Sequence, residues 1–134
     1  MKVSEFMTTN IRFIDAKLTV YDAIEEMVDR RMRSLVVNFS EGPTEYGVIT
    51  ARDIVIKVLS RGVNPEKTKI GEIASRPLFC VDREATMHEV AQIMSENGVA
   101  RVFVCDEGKL FGVVTMFDLM SAVLIMRARG ESFA

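Results

Sequence analysis

Two short stretches of this chain combine residue types that could do chemistry. Gly47-Val48-Ile49-Thr50-Ala51-Arg52-Asp53 and Gly112-Val113-Val114-Thr115-Met116-Phe117-Asp118 share a glycine, an apolar run, a threonine and an aspartate three positions on. The apolar run reads as a buried strand. The residues after it carry helical apolar spacing, so each threonine falls at a strand-to-helix junction. The first turn of a helix leaves backbone N–H groups unpaired, and the helix dipole favours negative charge there. Such a junction, furnished with a hydroxyl and a carboxylate, suits the binding of an anionic small molecule. The plainer role is a helix cap worth about 1 kcal/mol, and the two roles are compatible.

The elements that must hold these junctions also occur twice. Residues 3–38 align with 70–105 at a constant offset of 67. Glu5 meets Glu72, Asp15 meets Asp82, Thr19 meets Thr86, Met27 meets Met94 and Val37 meets Val104. After a longer turn in the first copy the offset becomes 65, where Gly47, Thr50 and Asp53 meet Gly112, Thr115 and Asp118. The chain is therefore a tandem repeat, with a first copy over residues 1–63 and a second over 64–134.

The order of elements within each copy is β-α-β-β-α. Ile11–Ile14 and Leu78–Val81 read as short first strands. Thr19 to Asp22 and Thr86 to Glu89 fit the capping-box pattern of a helix start. Behind the first, Val20, Ala23, Ile24, Met27 and Val28 form one apolar helical face. Ser34–Asn38 and Arg101–Cys105 read as strands, Glu41–Thr44 and Asp106–Lys109 as hairpin turns. One copy buries too little surface to be secure alone, so the two should share one core.

Composition narrows the function. The chain has 134 residues, 49% hydrophobic content and a net charge of −2. That balance, with no interleaving of aromatic and basic residues, argues against nucleic acid. The N-terminus has no signal-peptide core, and Ala122–Met126 is far too short to span a bilayer. A cytoplasmic location is expected. Cys80 and Cys105 lie in apolar strands without C-x-x-C spacing, so free buried thiols are expected, with no metal site and no disulfide. The single histidine, His88, falls at an exposed helix start, and no nucleophile–base pair is spaced for catalysis.

The duplicated glycine–apolar–Thr–x–x–Asp motif behind a β-α-β-β segment resembles the cystathionine-β-synthase (CBS) domain, and the tandem pair resembles a Bateman module. The resemblance covers roughly residues 3–60 and 70–125. It implies an α/β (α+β) fold in which two β-α-β-β-α repeats pack through their sheets with pseudo-twofold symmetry. It implies two clefts that bind adenosine-containing ligands, namely AMP, ADP, ATP or S-adenosylmethionine, and further pairing into a homodimer. By position, one cleft would hold Thr50, Arg52 and Asp53 with Pro77, Leu78, Val99, Ala100 and Arg101. The other would hold Thr115 and Asp118 with Asn10, Ile11, Met32, Arg33 and Ser34. The aspartate would accept the ribose hydroxyls, and the arginines would meet phosphate. Arg52 is replaced by Phe117 in the second copy, which lacks that cation.

The function expected on these grounds is a stand-alone CBS-pair regulatory module. It would sense an adenine nucleotide without catalysis and without a catalytic cofactor. The alternatives are an S-adenosylmethionine-type ligand, or a scaffold with empty clefts. For the scaffold the functional surface would be the last helix, apolar nearly all round from Leu119 to Met126.

Overall fold

The structure is a computed structural model that describes residues 1–39 and 46–132. The expected turn at Glu41–Thr44 lies outside the described residues. Two compact units are formed, one by Ile11–Leu78 and one by Met1–Asn10 with Phe79–Ala134. The units are offset from the sequence repeats. The first ten residues lie with the second repeat's elements, and residues 64–78 lie with the first's.

In the Ile11–Leu78 unit, β1 (Phe13–Asp15) leads to α1 (Val20–Arg30), then β2 (Ser34–Asn38), β3 (Tyr46–Thr50), α2 (Ala51–Lys57) and the short α3 (Ile70–Ile73). β2 is central, parallel to β1 and antiparallel to β3. Thr19 caps α1, accepting a hydrogen bond from the Asp22 amide while Asp22 answers the Thr19 amide. The helix ends where Arg31 turns left-handed, φ 54°. Its apolar face, Val20, Ala23 and Met27, packs with Leu35, Val37, Ile49 and Ile54 in one core. Ile70 and Ile73 of α3 complete that core.

The other unit repeats the plan with β4 (Cys80–Val81), α4 (Met87–Asn97), β5 (Arg101–Asp106), β6 (Lys109–Thr115) and α5 (Met116–Ala128). β5 is parallel to β4 and antiparallel to β6. β5 and β6 are joined by Glu107 and Gly108, both at positive φ, the two-residue hairpin that the sequence indicates. The core holds Val90, Met94, Val102, Val104 and Val114, and it includes Val3 from the start of the chain. The first strands are shorter than expected, starting at Phe13 rather than Ile11 and at Cys80 rather than Leu78.

The displaced segments attach by the same device in both units. Ser75 and Val48 exchange two backbone hydrogen bonds of 2.9 Å, and so do Thr8 and Val113. Each contact falls next to the glycine of the repeated motif. A Cβ on Gly47 would sit 2.6 Å from the Ser75 carbonyl oxygen, and one on Gly112 would sit 2.6 Å from Met7 Sδ and 2.9 Å from the Thr8 carbonyl oxygen. The motif glycine is there to let a foreign backbone come close.

The expectation of free cysteines is overturned. Cys80 and Cys105 form a disulfide, with Cα atoms 5.7 Å apart. The parallel register sets Cys80 beside Phe103, and Cys105 lies two residues on along the same strand. A shift in the β5–β6 pairing between Val104 and Cys105 accompanies the bridge. Among the described residues, no helix is long and apolar enough to cross a membrane.

Candidate ligand site

Each junction is a strand end turned into a helix start. Thr50 and Thr115 keep extended backbones, with ψ of 161° and 169°, and the next residue is helical. The Thr50 hydroxyl accepts from the Asp53 amide at 3.1 Å and donates to Asp53 Oδ2 at 2.9 Å. The Thr50 amide donates to the same Oδ2 at 2.9 Å. In the second copy Thr115 Oγ1 accepts from the Asp118 amide at 3.2 Å, and the Thr115 amide donates to Asp118 Oδ2 at 2.8 Å. Both motifs are therefore complete capping boxes, as the plainer reading requires. All four side chains are half-buried, within reach of solvent.

Sheet register places the other candidates. Ser34 pairs with Thr50, and the Ala51 amide donates to the Arg33 carbonyl at 2.9 Å. Arg101 pairs with Thr115, and the Met116 amide donates to the Ala100 carbonyl at 3.1 Å. Within its own unit, then, the first junction has Arg33 and Ser34 as neighbours, and the second has Ala100 and Arg101. Each grouping expected from the resemblance draws on both units. Arg33 and Arg52 are exposed, whereas Arg101 is half-buried. Pro77 follows a cis peptide and is exposed, and Leu78 is half-buried. Asn10 and Ala100 are exposed, Ile11 and Val99 half-buried. Met32 packs against the core and lines an apolar groove of about 240 Å³ with Ile24, Val28, Ala51 and Leu59.

One residue of the site was not singled out from the sequence. Lys57 Nζ lies 3.2 Å from Asp53 Oδ1 and donates to the Ile73 carbonyl at 2.9 Å. The signal was present in the sequence as an i,i+4 acid–base spacing on a helix. The counterpart of Lys57 in the second copy is Ala122, which is fully buried. Among the described residues Asp118 has no ion-pair partner.

Comparison with known sequences bears directly on this arrangement. The sequence model of the CBS domain matches residues 3–60 and again 70–125. The chain belongs to the CBS domain family. Curated relatives include an uncharacterised protein, MK0525, of Methanopyrus kandleri, 39% identical over 87 residues that make up 64% of this chain and 43% of that protein. Hypoxic response protein 1 of Mycobacterium tuberculosis is 40% identical over 74 residues, 55% of this chain and 52% of that one. The chain spans about half the length of these CBS relatives. Among solved structures, a hexameric CBS-CP12 protein from bloom-forming cyanobacteria superposes with a TM-score of 0.87 at 26% identity, covering 99% of this chain and 76% of that one. Hypoxic Response Protein I, solved with two coordinated zinc ions, gives 0.74 at 28% identity over 91% of this chain and 98% of that one. The tandem CBS pair and its α+β fold are thus established, within a family whose members are regulatory or of unknown function.

Proposed function

We propose that this CBS pair is a ligand-sensing module that binds an adenine nucleotide of the AMP, ADP or ATP type at its Thr-x-x-Asp junctions, without catalysis. The observation that supports this most is the recurrence of the same half-buried hydroxyl–carboxylate pair at a strand-to-helix junction in both copies. The carboxylate suits a ribose diol, and the first-turn amides with Arg52 or Arg101 suit phosphate. Family membership favours a regulatory role over an enzymatic one.

Self-association is part of the same proposal. Phe117, Met120 and Leu124 on α5 are 70%, 61% and 70% exposed, one helical stripe of large apolar side chains. A homodimer would hide it. That stripe also favours the second reading, a scaffold that acts through α5 with no nucleotide bound.

A thermal-shift panel of AMP, ADP, ATP, GMP and S-adenosylmethionine tests the proposal. A native-state ligand at a hundredfold excess over Kd adds about 2.7 kcal/mol and raises the apparent melting temperature. A rise with adenine nucleotides and none with GMP supports the sensor. A rise with S-adenosylmethionine alone changes the ligand class, and no rise with any compound favours the scaffold.

A further inference from the structure

The two junctions share their sequence pattern but differ in how the aspartate is engaged. Asp53 Oδ2 already accepts from the Thr50 amide and the Thr50 hydroxyl. Its Oδ1 faces the Lys57 ammonium at 3.2 Å. A carboxylate offers about four acceptor sites, so roughly one remains, whereas a ribose diol needs two. The same Lys57 ammonium also donates to the Ile73 carbonyl at 2.9 Å. That carbonyl lies at the C-terminal end of α3, where a cation is favoured. Moving the lysine away from Asp53 would therefore cost the Ile73 hydrogen bond as well as the ion pair. The Asp53 side chain is 15% exposed and that of Lys57 39%, so the pair is partly open to solvent and is held as much by geometry as by charge.

Asp118 stands differently. Its Oδ2 accepts from the Thr115 amide, and its carboxylate has no ammonium beside it among the described residues. At the position equivalent to Lys57 the second copy has Ala122, which is buried and carries no charge. The helix behind Asp118 runs for 13 residues, against 7 behind Asp53.

Resting on the nucleotide-sensor reading, we infer that Lys57 makes the two motifs unequal. It occupies the Asp53 carboxylate, so the ribose of an adenine nucleotide is bound by Asp118 alone. Lys57 is a specificity-determining residue that touches no ligand itself. The first motif is a structural lock joining α2 to α3, and the second is the nucleotide site.

The test is isothermal titration of AMP into the wild-type chain and into Asp118→Ala, Asp53→Ala and Lys57→Ala. The wild type takes one AMP per chain. Asp118→Ala weakens AMP by about ten- to a hundredfold, the scale of a hydrogen-bonded charged group, while Asp53→Ala changes affinity by less than about threefold. Both variants lose the same kind of cap, so the comparison cancels that effect. Lys57→Ala frees Asp53 and raises the stoichiometry to two AMP per chain. Lys57→Met, which keeps the aliphatic stem, repeats that measurement if the alanine variant loses its fold, as read by far-UV circular dichroism. A folded position-57 variant that still takes one AMP per chain overturns the assignment to Lys57. Equal losses in the two aspartate variants, or two equivalent sites in the wild type, overturn the assignment to Lys57 while the sensor reading stands. No AMP binding by the wild type overturns the sensor reading and this inference with it.

Discussion

Ser75 and Val48 exchange two backbone hydrogen bonds, each 2.9 Å long, directly beside Gly47. Thr8 and Val113 do the same beside Gly112. The segment that precedes each repeat's first strand is thereby stitched to β3 or β6 of the other repeat. Val3 and Ile70, both fully buried, are the apolar anchors of those segments. The glycine at the head of the repeated motif is explained by this packing and needs no ligand.

Gly47→Ala should therefore destabilise the protein although glycine-to-alanine changes elsewhere are often neutral. Its new methyl would lie 2.6 Å from a backbone oxygen and 2.8 Å from the Phe39 ring, so something must move. An overpacking cost of about 1–3 kcal/mol is expected in urea unfolding. Gly112→Ala should lose less, since its nearest neighbour is the flexible Met7 side chain and its backbone contact, the Thr8 oxygen, is at 2.9 Å rather than 2.6 Å. Two unchanged midpoints would show that the exchanged segments do not hold these positions.

The disulfide makes a prediction about thiols. Wild-type protein unfolded in denaturant without reductant should show no free thiol, because Cys80 and Cys105 are the chain's two cysteines and are bridged. Cutting the 25-residue separation free by Cys80→Ser should cost on the order of 3 kcal/mol. Two reactive thiols in protein purified without reductant would restore the free-cysteine reading.

Glu5 should tie the first segment to pH. Its carboxylate accepts from the Lys2 amide at 2.7 Å and from Arg129 at 3.0 Å. The backbone hydrogen bond first, and Arg129 second, hold its pKa below the ordinary 4.5. A lowered folded value means that the stabilisation is fully present above 4.5 and is lost as pH falls through the folded value. The gap in urea midpoint between wild type and Glu5→Gln should be constant from pH 7 down to about 4.5 and close below it. A gap that does not change with pH would remove Glu5 from the acid response.

Leu124→Glu should shift the molecular mass toward the monomer in light scattering, with the circular dichroism spectrum unchanged. Leu124 is 70% exposed, so a carboxylate there is solvated in the monomer and desolvated in a dimer that covers α5. Ile125, about 100° further round α5 and 40% exposed, is a weaker probe. Wild-type protein running as a 15.0 kDa species at all concentrations would contradict self-association through α5.

Much of this architecture was legible in the residues. Ser34–Asn38 forms the strand that its branched residues indicate, and Thr19, Thr50, Thr86 and Thr115 cap the helices that their spacing to an acid three residues on indicates. Those signals are local. The exchange of segments was not legible, because Val3 meets Ala85 across more than eighty positions and neither residue carries a pattern that says so. The disulfide escaped for the same reason, since only the β4–β5 register brings Cys80 to Cys105. At the candidate site, the repeat showed that the two motifs match, and their spacing to Lys57 and Ala122 held the clue that they are not equivalent. That clue gains force only with Ile73 in place behind the lysine.

The central claim is that a nucleotide's ribose meets the Thr-x-x-Asp carboxylate, and a double cycle by calorimetry tests it most directly. AMP and 2′-deoxy-AMP are titrated into the wild type and Asp118→Ala. Wild type should bind AMP about tenfold or more tightly than the deoxy compound, and Asp118→Ala should bind both with the same weak affinity. Additive losses, with the deoxy penalty undiminished in Asp118→Ala, would mean that Asp118 does not touch the sugar and that the motif is a helix cap alone.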